Sequence, residues 1–158
     1  METQKKQKSK NLTKEKLVRP KVKPERAIKW YLLDAKDKIL GKVAVKAAKV
    51  LLAKAVPTKK SFEAPVDRVV VINASKVAVT GRKEEEKKYY RYSGYPGGLK
   101  ERTLGQVRAS KPEEIVSHAV FGMLPKNRLG RKIQKHLYIY PGTTHPHEAQ
   151  KLESVEVK

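Results

Sequence analysis

Two apolar runs separated by a helical pattern limit what this chain can fold into more than any other feature. Trp30-Tyr31-Leu32-Leu33-Asp34 reads as a short buried strand closed by a turn residue. From Ile39 to Ala53 the apolar residues Leu40, Val43, Ala44, Ala47, Val50 and Leu51 fall on one face of a helix, with Lys42, Lys46, Lys49 and Lys54 mostly off it, and Pro57 is expected to end it. Val69-Val70-Val71-Ile72-Asn73 is then uninterrupted and rich in β-branched residues, the pattern of a strand covered on both faces. Strand, helix and strand in that order make a parallel βαβ unit. The fold class this predicts is α/β: a three-layer α/β/α domain around a small, mostly parallel central sheet. Leu137-Tyr138-Ile139-Tyr140 alternates and adds a last short strand, broken by Pro141-Gly142.

Between these strands the chain reads as turns and helices. Ala74-Ser75-Lys76 is a turn, Val77-Ala78-Val79-Thr80 a short strand closed by Gly81, Glu84-Glu85-Glu86 a solvated turn, and Leu104 to Ala109 helical. Ser110-Lys111-Pro112-Glu113 has capping-box spacing and predicts a helix start, followed by Ile115, Val116, Ala119, Val120 and Met123 at helical spacing. Gly122 and Pro125 are expected to end that helix. A short helix from Arg128 would bury Leu129 and Ile133 and spread Arg128, Arg131, Lys132 and Lys135 around the rest. Too short to be stable alone, it must be held by the domain with its cations facing outward.

Charge sets the class of partner. The 158 residues hold 37 Lys plus Arg against 16 Asp plus Glu, a net charge of +21. That density repels itself in a compact monomer, and a polyanion, nucleic acid first, is the economical neutraliser. The chain divides into a basic N-terminal extension at 1–26, an α/β domain at 27–142 and a C-terminal tail at 143–158. Residues 1–26 carry ten Lys or Arg against three acids and almost no periodic apolar residues, so they read as a disordered basic arm. Such an arm either threads along phosphates or is a solvated tail; its lysine richness and Glu2, Glu15 and Glu25 argue against a transit peptide. With no cysteine, disulfides and thiolate metal sites are excluded, and no apolar run approaches the roughly twenty residues that span a bilayer.

Tyr89-Tyr90-Arg91-Tyr92-Ser93-Gly94-Tyr95-Pro96-Gly97-Gly98-Leu99-Lys100 interleaves tyrosine, arginine and glycine. Tyr and Arg stack on bases or riboses, and glycine lets backbone N–H groups approach phosphate, so the stretch has the make-up of an RNA-contacting loop; an edge strand with a tight turn and partly buried tyrosines is the plainer alternative. Neither GxxxxGK[ST] nor GxGxxG occurs, and no cofactor is expected. His145 and His147, one residue apart, lack the third and fourth ligands of a metal site and read as a packed or RNA-facing loop. An RNA-cleaving enzyme using His118, His145 or His147 is the competing class, but no evident partner carboxylate accompanies any of them.

Several of these segments resemble one family in order along the chain. Trp30-Tyr31 with Asp34-Ala35, Leu40-Gly41-Lys42-Val43-Ala44 and Asn73 to Gly81 are followed by Tyr92-Ser93-Gly94-Tyr95-Pro96-Gly97-Gly98-Leu99-Lys100 and Gly122 to Arg131. Tyr140-Pro141-Gly142 leading to His145-Pro146-His147-Glu148-Ala149-Gln150 closes the series. Together they are similar to the motifs of the bacterial-type large-subunit ribosomal protein L13 family, uL13, over about residues 29–150. The chain departs from that pattern in its longer Lys-rich arm and in Lys151, where proline is frequent.

The resemblance implies a structural, non-enzymatic protein that binds large-subunit rRNA of the 23S type, neighbours other large-subunit proteins and acts early in subunit assembly. It implies RNA contacts at Arg91, Tyr92, Ser93, Gly94, Gly97, Gly98 and Lys100, and at Lys126, Asn127, Arg128 and Arg131. The basic run adds Lys132 and Lys135 to the candidate RNA-binding set. A cytoplasmic ribosome is the expected location, an organellar one the alternative. Some members of the family also repress their own message, which the resemblance leaves open for this chain.

Overall fold

The structure, a computed structural model, describes residues 27–57 and 62–157. The basic arm expected at 1–26 lies outside the described residues. Four parallel strands form the central sheet in the order β5-β2-β1-β6, comprising β1 (Trp30–Asp34), β2 (Arg68–Ile72), β5 (Leu137–Ile139) and β6 (Leu152–Ser154). A separate two-stranded antiparallel sheet pairs β3 (Lys88–Tyr92) with β4 (Leu99–Thr103). The helices are α1 (Leu40–Leu51), α2 (Lys83–Glu86), α3 (Leu104–Ser110), α4 (Pro112–Met123) and α5 (Arg128–Gln134). The expected parallel sheet with helices around it is therefore what the chain forms.

Register divides the sheet into two faces. Tyr31, Val69 and Leu137 stand side by side, as do Leu33, Val71 and Ile139, and all six lie in or against the core with Val43, Ala47, Leu51, Ile115, Val116 and Ile133. On the other face Trp30 stacks on Tyr138 with ring centroids 5.7 Å apart, and Val70 is fully buried. That face is covered by the segment returning from β5 to β6. His147 lies 5.0 Å from the Trp30 ring and 4.6 Å from Tyr138, and Arg68 stacks its guanidinium over Trp30 at 4.8 Å. Covering on both faces is why β2 needs no polar alternation.

A polar latch holds the ends of the two central strands. Asn73, with a left-handed backbone (φ 59°), donates from its amide to the Asp34 carboxylate at 2.8 Å, and the Lys36 backbone N–H donates to the same oxygen at 2.9 Å.

The structure corrects several local readings. The capping box is at Thr103 and Gln106, which exchange hydrogen bonds at the start of α3, and not at Ser110. Ser110 is the last residue of α3 and donates its hydroxyl back to the Gln106 carbonyl at 3.0 Å, so it cannot cap α4. α4 begins after Lys111 with no side-chain cap. Gly122 lies inside α4; the helix ends at Met123, before Leu124, which is extended because it precedes Pro125.

α1 stops at Leu51, with Ala53 in the left-handed region, well before Pro57. Val77–Thr80 forms only one bridge, between Ala78 and Ile39, and the acidic triplet belongs to the one-turn helix α2. The stretch read as a tail contributes β6 beside β1 and buries Val157, although its short apolar signal is weak in the sequence.

Candidate nucleic-acid interface

The β3–β4 hairpin is anchored at its root and bare beyond it. Tyr89 is half-buried against the core, its ring 5.4 Å from His118, and burial pushes its hydroxyl above the ordinary tyrosine pKa. Leu104 is fully buried, and its N–H donates to the Lys87 carbonyl at 2.9 Å. Arg108 clamps the root, pairing with Glu84 at 3.0 Å and donating to the Val77 carbonyl at 3.1 Å.

Outward from there, register gives the ribbon two different faces. The cross-strand pairs Tyr89/Arg102 and Arg91/Lys100 occupy one face, so three cations line up beyond the tyrosine. Lys88/Thr103, Tyr90/Glu101 and Tyr92/Leu99 occupy the other. There Tyr90, Tyr92 and Leu99 are 61%, 63% and 54% exposed, flanked by a Lys88–Glu101 ion pair at 2.9 Å. Arg91 opposite Lys100 is a like-charge pair, unfavourable in a hairpin alone and relieved when an anion lies across it.

The turn from Ser93 to Gly98 accounts for its glycines locally. Gly94 and Gly97 have φ of 92° and 71°, and a Cβ on Gly98 would collide with the Ser93 hydroxyl. Ser93 donates its N–H to the Gly98 carbonyl at 3.1 Å, and Gly98 donates to the Tyr95 carbonyl at 2.9 Å. Ser93, Gly94, Gly97 and Lys100 are exposed with Arg91 and Tyr92, while Gly98 is partly covered.

The second candidate region is the turn into α5. Asn127 caps that helix, accepting from the Gly130 N–H at 2.7 Å, and a Cβ on Gly130 would run into the Pro125 carbonyl oxygen. Ile133 is fully buried and Leu129 packs against the core, the stripe expected from the sequence. Lys126, Asn127, Arg128, Arg131, Lys132 and Lys135 are all exposed, and none of these cations forms an ion pair among the described residues. The two regions stand on separate elements, connected through α3 and α4, which pack on each other.

Arg102 lies outside the Tyr89–Lys100 stretch read from the sequence and joins this surface, and Tyr90 and Leu99 within that stretch join it as well. Strand alternation about Arg91 and Lys100 is the signal that finds them.

The histidines have structural surroundings. His147 accepts or donates through Nε2 to the Tyr140 hydroxyl at 2.9 Å, and its backbone N–H donates to Nδ1 of His145 at 3.3 Å. Burial first, then His145 and Arg68 nearby, lowers the His147 pKa below the ordinary histidine value. Among the described residues no three His, Cys, Asp or Glu side chains cluster as metal ligands, and no helix is long and apolar enough to cross a membrane.

A small parallel α/β core carrying a projecting cationic and aromatic ribbon defines a class of basic α/β proteins. Residues 28–146 match the family model described as ribosomal protein L13. The chain is 51% identical over 129 residues to the large ribosomal subunit protein uL13 of Solibacter usitatus, covering 82% of this chain and 90% of that protein. It is 50% identical over 139 residues to that of Aquifex aeolicus, covering 87% and 96%, and 49% identical over 129 residues to that of Mycobacterium tuberculosis, covering 82% and 88%. The chain belongs to the ribosomal protein L13 family.

Proposed function

We propose that this chain, a structural component of the large ribosomal subunit and not an enzyme, binds 23S-type rRNA and supports early assembly of the subunit on the cytoplasmic ribosome. The contacts come from Arg91, Tyr92, Ser93, Gly94, Gly97, Gly98 and Lys100 on the hairpin and from Lys126, Asn127, Arg128, Arg131, Lys132 and Lys135 around α5. Neighbouring large-subunit proteins are the other partners, and its own message is a second RNA of the same chemistry. No cofactor takes part.

The observation that carries this reading is the two-faced hairpin. Two strands alone are marginal in water, and this pair leaves three cations on one face and three large apolar side chains on the other uncovered by protein. RNA supplies both complements: phosphates for Arg91, Lys100 and Arg102, and unstacked bases or riboses for Tyr90 and Tyr92. The α5 cations, held by Ile133 and the Asn127 cap, add phosphate contacts at a second position.

The test is binding of 23S rRNA across a salt series. R91Q/K100Q and R128Q/R131Q should each lower the slope of log affinity against log salt by roughly 1.4–1.8, at about 0.7–0.9 per lost phosphate contact. Their urea midpoints should stay at the wild-type value. A slope unchanged in both variants would show that these cations are merely solvated.

A further inference from the structure

α1 carries a second row of cations that neither candidate region includes. Lys42, Lys46 and Lys49 stand at i, i+4 and i+7, so with a rise of about 1.5 Å per residue they step along one side of the helix by about 6 and 4.5 Å. They face away from the buried stripe of Leu40, Val43, Ala44, Ala47 and Leu51. Together with Gly41 and Val45 they form one wall of an open groove of about 610 Å³, whose other wall is Ser154, Val155, Glu156 and Val157.

The topology explains why the groove is open. α1 connects β1 to β2, so it covers that side of the sheet, while β6 was added on the opposite side of β1. β6 packs mainly on β1. Val155 and Val157 pack inward against the core, and Val155 donates its N–H to the Leu32 carbonyl at 2.9 Å. By strand alternation the N–H of Ser154 then points away from β1, toward the free edge.

The electrostatics are one-sided. No ion pair joins Lys42, Lys46 or Lys49 to an acid among the described residues, although Glu156 lines the same groove. One carboxylate against three ammonium groups leaves a net charge of about two positives to be met from outside. An acidic extended peptide is a poorer occupant than a nucleic-acid strand, because β6 is three residues long and gives little template for strand addition.

We propose that the groove between α1 and β6 is a further phosphate-binding surface for an RNA strand, with Lys42, Lys46 and Lys49 as its contacts. Its elements are separate from the hairpin and α5, so the groove gives RNA a third place of contact on the domain. This rests on the RNA-binding role above and adds a site to it.

Full-length protein carrying K42Q/K46Q/K49Q is compared with wild type in a salt series against 23S rRNA; Gln keeps helix propensity close to that of Lys. A control triple, K76Q/K111Q/K151Q, removes the same net charge from exposed positions elsewhere. The groove triple should lower the salt slope by about 2–3, additively with R91Q/K100Q, and the control triple by less than about 0.5. Circular dichroism melts of the groove triple should superpose on wild type.

Equal slope losses in the two triples would overturn the site in favour of diffuse charge, and so would an unchanged slope in the groove triple. A ten-residue poly-glutamate probe that loses affinity in the groove triple while rRNA does not would assign the groove to an acidic peptide and overturn the proposal. Wild-type protein without salt-dependent rRNA binding would instead refute the RNA-binding role itself, a result distinct from the other three.

Discussion

Strands β2 and β3 are both five residues long and both rich in residues that favour strands, yet they answer to opposite constraints. In β2 the three central valines are completely buried, between helices on one face and the Trp30, Tyr138 and His147 layer on the other. In β3 only Tyr89 is part-buried, while Lys88, Tyr90, Arg91 and Tyr92 are exposed. Burying β2 stabilises the domain by the apolar area it removes from water, whereas β3 leaves most of its apolar area in water. Beyond Tyr89, two exposed tyrosines and a like-charge cross-strand pair contribute little to the stability of the fold.

The widest test of that contrast is a charge in the centre of β2. Val71→Asp places a carboxylate among Leu33, Ile139 and the α1 residues with nothing to pair it, and should cost at least about 4 kcal/mol, leaving the chain largely unfolded in circular dichroism. A well-folded V71D protein would mean that the sheet centre is far looser than its burial implies. The corresponding change in the hairpin should do the reverse. Y90S/Y92S is expected to change the unfolding free energy from urea titration by no more than about 0.5 kcal/mol per site while weakening rRNA binding by about 1–3 kcal/mol for each stacked base lost. Full affinity with reduced stability would place the tyrosines in the fold and remove the contrast.

The smallest expected effect separates the regions by pH. His136 and His147 both pack on the main sheet, and burial, the largest cause for each, lowers their pKa values from about 6.5; Arg68 acts in the same direction on both. A lowered histidine pKa means that the unfolded chain binds more protons. Stability is therefore full above about pH 6.5, declines as pH falls from there toward the folded values, and then levels off. The urea midpoint should be modestly lower at pH 5 than at pH 7.5, and H136Q/H147Q should flatten that dependence. Flat wild-type behaviour would show that neither imidazole is shielded enough to matter.

Much of the core was legible because burial leaves a periodic trace. The helical spacing from Leu40 to Leu51 and the unbroken Val69–Ile72 run gave α1, β2 and their parallel relation to β1. The basic turn into α5 was equally readable, since Leu129 and Ile133 mark the buried side and leave the cations outside. Local chemistry misled where two readings share the same residues. Ser110 fits a capping box by spacing, but its hydroxyl was already committed to the turn behind it. β6 escaped because three residues of an edge strand need only one favourable face, and Leu152-Glu153-Ser154 carries little pattern of its own.

Sequence alone determined the composition of the exposed cationic surface and the identity of the buried stripes: charge density, apolar period and turn residues are local properties that survive in a linear string. Only the tertiary structure decided which residues share a surface. Arg102 joins Arg91 and Lys100 because the antiparallel register places them on one face, and Tyr90 joins Tyr92 and Leu99 on the other. Lys42, Lys46 and Lys49 come to line one groove with Ser154 and Glu156 because parallel pairing places β6 beside β1. Such neighbours lie up to about a hundred residues apart in the chain, and their approach is set by strand order, a property of how the whole core packs.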